Sequence, residues 1–116
     1  MALPKHLRFP SRREIAAVLK FGHSSRSPLG RVVRLASRNE RGRILFVVSA
    51  RTAKRSSHRH RIQRRLDGWA TRNFRGALRR FHTVVYVWPG PAASSRAQLH
   101  RLADGAFRLL AQHRKP

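Results

Sequence analysis

The sequence predicts an α+β fold, an α/β sandwich, on three observations. Two apolar runs, ILFVVS at Ile44–Ser49 and TVVYVW at Thr83–Trp88, read as buried strands. A long segment between them is apolar at steps of three and four, the period of an amphipathic helix. The order helix, two or three strands, long helix, strand, helix contains no internal repeat and so excludes solenoids.

Ser11-Arg12-Arg13-Glu14 has capping-box spacing, so a helix is expected from Arg12 to Phe21, with Ile15, Val18 and Leu19 on one face and Gly22 ending it. Ser24–Gly30 reads as a loop. Arg31–Ala36 and Arg43–Ser49 are β-rich runs around the turn signal Asn39-Glu40-Arg41-Gly42 and read as an antiparallel hairpin, with Ile44–Ser49 as a central strand. The long helix is expected over His58–Arg80, with Ser56 or Ser57 as N-cap and Ile62, Leu66, Trp69, Ala70, Phe74, Ala77 and Leu78 facing inward. At 100° per residue Arg61, Arg65, Arg72 and Arg79 fall within roughly 40° of one another, beside Arg64 and Arg75, along about 27 Å of helix. Gly68 interrupts that helix at a cost of ~1 kcal/mol against Ala, with no reason evident in the sequence. After Thr83–Trp88 and Pro89-Gly90-Pro91, a last helix begins near Ser94 or Ser95. It turns Leu99, Leu102, Ala103, Ala106, Phe107 and Leu110 inward.

The 116 residues fit one domain, 1–116, and their 41% hydrophobic content is enough for a core. Against 27 Lys and Arg stand 4 acids, a formal charge of +23. So many uncompensated charges call for a polyanion, and nucleic acid is the default. The charge is spread along the chain rather than gathered on one amphipathic helix, which argues against a membrane surface. No apolar run approaches the roughly 18 residues of a spanning helix. With no Cys, disulfides and thiolate metal sites are excluded, which fits a reducing compartment.

Little in the chain suggests protein-borne catalysis. Glu14, Glu40, Asp67 and Asp104 lie in four different elements, a poor basis for a carboxylate-bound Mg²⁺ pair. His58 and His60 are two apart and diverge on a helix. Tyr86 and Trp69 fall on apolar faces and read as core; Trp88, at a strand end, is left open. The arginine stripe has the opposite signature to a solvated helix face, which mixes both signs, and reads as a phosphate contact. Charge and spacing alone leave the kind of nucleic acid open.

The stretch VVSARTAKRSSHRHRIQRRL, Val47–Leu66, resembles the signature region of the bacterial ribonuclease P protein subunit. There a strand ending in Ser and basic residues leads into a helix opening Arg-Asn-Arg-Ile/Val-Lys-Arg. Arg59, His60 and Arg61 stand, without a gap, where the family has Arg-Asn-Arg. Leu3-Pro4-Lys5 with Arg8 resembles the family's opening, and Glu14-Ile15, Val18-Leu19 and Gly22 resemble its first-helix pattern. The start is rich in Arg like a mitochondrial transit peptide, but a motif beginning at residue 3 makes it part of the mature domain.

The resemblance implies a fold like the second domain of ribosomal protein S5, with a left-handed crossover where about 98% are right-handed. It implies a bacterial, cytoplasmic RNA-binding subunit whose partners are the catalytic RNA and precursor tRNA, with no membrane or small-molecule substrate. The RNA and its Mg²⁺ cleave the 5′ leader, and the protein itself holds no cofactor or metal. Contacts to the catalytic RNA fall on Arg51, Lys54, Arg55, Arg59, His60, Arg61, Arg64 and Arg65. The leader cleft, between first helix and sheet, falls on Ile15 and Leu19 with Val33 opposite. Ile15 and Leu19 replace what are commonly Phe, giving up ~1–3 kcal/mol of base stacking each, while Phe9 and Phe21 flank the helix as other aromatic candidates. His60 replaces Asn, Ala50 a usual Lys, and Asp67-Gly68 stands where the helix commonly continues Arg-Glu. A ribosomal or general RNA-binding protein explains the charge and fold equally well, but not these motifs together.

Overall fold

Ser11 caps the first helix as its spacing predicts: its Oγ accepts the Glu14 N–H at 3.4 Å and α1 runs Arg12–Phe21. The structure, a computed structural model, describes residues 3–92 and 95–112. After α1 come β1 (His23–Arg26), β2 (Gly30–Ala36), β3 (Ile44–Val47), α2 (Ser56–Asn73), β4 (Phe81–Val87), the single turn α3 (Pro89–Ala92) and α4 (Arg96–Gln112). The sheet order is β1-β2-β4-β3; β2 is antiparallel to both β1 and β4, and β3 is parallel to β4. The crossover for which the resemblance implies a left hand is β3–α2–β4.

Four expectations are corrected. His23–Arg26, expected partly as loop, is a strand, exposed at every position and held by its ladder to β2. A polar, fully exposed edge carries no apolar alternation to reveal it. Ser27 makes the turn, its hydroxyl donating to the Gly30 carbonyl at 2.7 Å and accepting the Gly30 N–H at 3.1 Å. Second, β2 and β3 do not form a hairpin, because β4 lies between them. Their connection crosses the start of β4: Ser37 N–H donates to the Arg80 carbonyl and Gly42 N–H to that of Arg79, both at 2.7 Å. Third, β3 is therefore an edge strand and β4 a central one. Ile44–Val47 is apolar on both sides because Ile44 and Phe46 face the main core while Leu45 and Val47 pack under α1.

Fourth, α2 stops at Asn73 instead of reaching Arg80. Phe74 leaves the helix at ψ 80°, and Gly76 takes φ +62°, a left-handed backbone that favours glycine. A 3₁₀ turn, Gly76–Arg80, then returns Leu78 to the same core, which is why the apolar period runs on past the helix; Ala77 is exposed. At the other end the N-cap is Arg55, not Ser56 or Ser57, and it makes no side-chain cap. Arg59 instead ties helix to loop, one guanidinium nitrogen donating to the Ala53 and Lys54 carbonyls at 3.0 Å. Ser94 lies outside the described residues. Ser95 caps α4 in a reciprocal box with Gln98, its Oγ accepting the Gln98 N–H while Gln98 Oε1 accepts the Ser95 N–H.

The sheet has two apolar faces. On one, α2 and α4 enclose Phe46, Ile62, Leu66, Phe74, Leu99 and Phe107. There Trp69 lies 4.8 Å from the Phe107 ring and its indole N–H donates to Asp104 Oδ1 at 2.6 Å, so its reading as core holds. On the other face Val18 of α1 seals Val33 and Val84. Gly22, just beyond α1, passes so close to β2 that a Cβ there would stand 2.7 Å from the Arg34 carbonyl.

The N-terminal segment is pinned between the two faces, with Leu3 and Leu7 in the main core and Phe9 against the second. The Arg43 guanidinium donates to the Lys5 and Arg8 carbonyls at 3.1 and 2.7 Å, and Arg79 donates to those of His6 and Gly42. His82 accepts the Arg43 N–H on Nδ1 at 3.2 Å, and its ring lies 5.8 Å from Phe9. Burial lowers the His82 pKa below the usual histidine value; Glu14 partly opposes this and Arg43 adds to it. A depressed histidine contributes its full stability above the unfolded pKa near 6.5 and loses it as pH falls below that value. The melting temperature is therefore expected to drop between pH 7.5 and 5.5, and His82→Gln to flatten the drop. An unchanged slope in that variant would remove His82 as the cause.

Candidate nucleic-acid interface

Helix α2 packs its apolar stripe inward, which leaves its basic residues facing out beside α4. Between the two helices runs an open groove of about 900 Å³. His60, Arg61, Arg64, Arg65 and Arg72 of α2 line one side of it. Arg96 and His100 of α4 line the other. His100 Nε2 lies 3.1 Å from the Arg65 carbonyl, joining the walls. No carboxylate is among the lining residues.

The four acids are engaged elsewhere. Glu14 sits in the cap of α1, Glu40 pairs with Arg80 at 3.5 Å, Asp104 holds the Trp69 indole, and Asp67 accepts a hydrogen bond from Gln63. Asp67 is buried, and burial raises its pKa, offset in part by the Gln63 bond. Glu40–Arg80 joins two exposed side chains, so among the described residues the groove's cations have no acid neutralising them.

The expected RNA positions divide into three groups. His60, Arg61, Arg64 and Arg65 come together in the groove. Arg51, Lys54 and Arg55 are exposed on the loop leading into α2. Arg59 is half-buried and its bonds to Ala53 and Lys54 hold that loop in place, so it positions as much as it presents charge. The stripe is shorter than the sequence implied: with α2 ending at Asn73, Arg61 to Arg72 covers about 17 Å. Arg75 lies past the helix end, and Arg79 is turned to the N-terminal segment.

On the α1 side, Ile15 is half-buried, Leu19 is 42% exposed, and Val33 is 3% exposed beneath Val18. Val33 thus presents no open surface. The open positions lie two residues along β2, where register places Arg26, Arg31, Tyr86 and Val47 in one row across all four strands. Arg31 stands 4.9 Å from the Tyr86 ring centroid and Arg26 5.3 Å from that of Trp88. This interleaving of arginine with aromatic rings suits stacked bases. Sequence reading missed it because alternation put Tyr86 in the core and Arg26 in a loop. Phe9 is occupied against His82, whereas Phe21 is 64% exposed at the end of α1.

Among the described residues no three His, Asp or Glu side chains converge to hold a metal ion, and no helix is long and apolar enough to cross a membrane. What the arrangement offers is anion binding. An anion held only by the folded form at ten times its dissociation constant adds about 1.4 kcal/mol, or about 6 °C in a domain this size. Sulfate or phosphate is therefore expected to raise the melting temperature above that in chloride at equal ionic strength. Equal melting temperatures would mean that the groove is not an anion site.

A sequence model of the family Ribonuclease P matches residues 3–111. No curated protein matches the chain in sequence. Among solved structures, the RNase P protein of Staphylococcus aureus is similar at 14% identity and TM-score 0.78, over 90% of this chain and 94% of that one. A mutant of the S. aureus protein with defective mRNA degradation activity gives 14% identity and TM-score 0.79, over 91% and 89%. The RNase P protein of Thermotoga maritima gives 17% identity and TM-score 0.73, over 93% and 98%.

Proposed function

Because this chain belongs to the ribonuclease P protein family, we propose that it binds the catalytic RNA of that ribonucleoprotein and the 5′ leader of precursor tRNA, assisting tRNA 5′ maturation in the bacterial cytoplasm. Family membership makes it a subunit of ribonuclease P with an RNA partner. The observation that carries the finer reading is the groove in which His60, Arg61, Arg64 and Arg65 meet with no carboxylate.

Mg²⁺ bound with the RNA supplies the hydrolytic chemistry. This chain's residues neutralise and orient. Arginine engages a phosphate bidentately, so Arg61, Arg64 and Arg65 anchor the RNA better than Lys54 does. Arg51, Lys54 and Arg55 extend the same charge along the loop, with Arg59 bracing it. The leader lies on the α1 face, Ile15 and Leu19 to one side and the row Arg26, Arg31, Tyr86 on the sheet. There Tyr86 supplies an aromatic surface in place of the phenylalanines that Ile15 and Leu19 lack.

The test is cleavage of a precursor tRNA by a bacterial ribonuclease P RNA at low Mg²⁺, with and without this protein. Strong activation is expected. Tight binding of many RNAs without activation would leave a general RNA-binding protein and overturn the proposal.

A further inference from the structure

Gly68 sits in mid-helix, where glycine weakens α2, yet nothing in the packing requires it. A Cβ built there meets no atom within 4 Å, and the residue lines the groove between α2 and α4. Tight helix packing is therefore not its reason: the residue is buried between its neighbours, yet the space a side chain would fill is left to the groove floor. Above that floor the walls are unlike in origin but alike in charge, Arg61, Arg65 and Arg72 from α2 and Arg96 and His100 from α4. His100 links them, at 3.1 Å from the Arg65 carbonyl.

We propose that this groove is a channel for a single RNA strand, its phosphodiester backbone passing over Gly68 with Arg96 and His100 as the second wall. The proposal rests on the reading of α2 as an RNA-binding helix and adds to it α4, Arg72 and the bare floor. Three features favour a strand. An A-form RNA duplex is a rigid body with its bases paired inside, and can meet a groove between two helices only along its outer backbone, whereas a single strand can lie down along the floor. The α2 wall from Ser56 to Arg72 runs about 24 Å, room for several successive phosphates. And a glycine floor lets a sugar-phosphate chain approach the helix backbone, as a side chain would not.

Gly68→Leu separates a structural from a binding role, because the two predict opposite signs. Leucine is the better helix former and has open space to enter, so the melting temperature is expected to hold or rise. The same side chain blocks the floor, so affinity for RNA is expected to fall at least tenfold. Arg96→Glu, at an exposed position, is expected to weaken RNA binding by a similar factor with no change in melting temperature. Both are made in an Arg26→Ala, Arg31→Ala background, which removes the charges of the α1 face. The probes are a single-stranded oligouridylate, a duplex of equal length, and the catalytic RNA.

Loss of oligouridylate binding in both variants, with duplex binding little changed, establishes the channel. It does so even if the wild type shows no preference for the catalytic RNA, a result that removes the ribonuclease P reading alone. Oligouridylate affinities within twofold of wild type in both variants overturn the channel, even where Arg61→Ala, Arg65→Ala abolishes binding of the catalytic RNA and so upholds α2.

Discussion

Replacing Arg61 and Arg65 together by alanine is expected to weaken binding of the catalytic RNA by about a hundredfold and to abolish activation of precursor-tRNA cleavage at low Mg²⁺. Both side chains line the groove with no acid beside them, so their donors are free to meet phosphate. A hydrogen bond to a charged partner contributes about 1.5 kcal/mol at its lower end, and two such contacts give about 3 kcal/mol, or roughly a hundredfold. The same double variant is expected to flatten the plot of log affinity against log salt by about 1.5, since each phosphate contact contributes about 0.7–0.9. Arg79→Ala is the informative contrast. Its guanidinium is held by the His6 and Gly42 carbonyls, so its loss loosens the N-terminal segment and leaves the salt slope unchanged. A salt slope that fell equally in both variants would mean that binding reads overall charge and not this groove.

Trp69→Ala is expected to cost about 3–5 kcal/mol, lowering the melting temperature by about 12–20 °C. The ring is 2% exposed, lies 4.8 Å from Phe107, and is the joint at which α2 meets α4. Thermal unfolding followed by circular dichroism measures the loss, and saturating RNA is expected to restore part of it, because only the folded form carries both walls of the groove. Trp69→Phe keeps a ring against Phe107 but leaves Asp104 without its donor, and a smaller loss of about 1–2 kcal/mol is expected. A wild-type melting temperature in Trp69→Ala would show that the joint between the helices lies elsewhere.

What the sequence discloses follows from how local each determinant is. Ser11 with Glu14 and Ser95 with Gln98 act within one turn: the first helix starts where its capping-box spacing predicts, and the last beside one of the two serines expected to open it. The arginines from Arg61 to Arg72 share one helix, so their convergence on one side is a matter of period alone. Strand pairing is different. Nothing within Arg31–Ser49 announces that a strand forty residues later will part the supposed hairpin, since the same apolar residues suit either neighbour. The end of α2 is hidden because Leu78 packs inward from a 3₁₀ turn as it would from a helix. For the site, α2's contribution was legible and α4's was not: Arg96 and His100 reach the groove only through the packing of two distant helices. The row of Arg26, Arg31 and Tyr86 depends on register across three strands, which periodicity does not encode.

The position of β4 between β2 and β3 also sets an order on how the molecule is born. On a ribosome the chain emerges from its N-terminus, and β3 has no sheet neighbour until Phe81–Val87 follows it out. Until then its Ile44–Val47 ladder stands unpaired and its apolar side chains wet, the condition in which strands find the wrong partners. Closure of the sheet is thus a late, single event that joins residues far apart in the chain, and such distant contacts form slowly. A chain interrupted before Phe81 has the β1–β2 ladder alone, and the arginine-rich helix is made while β3, the strand it packs on, is still outside the sheet.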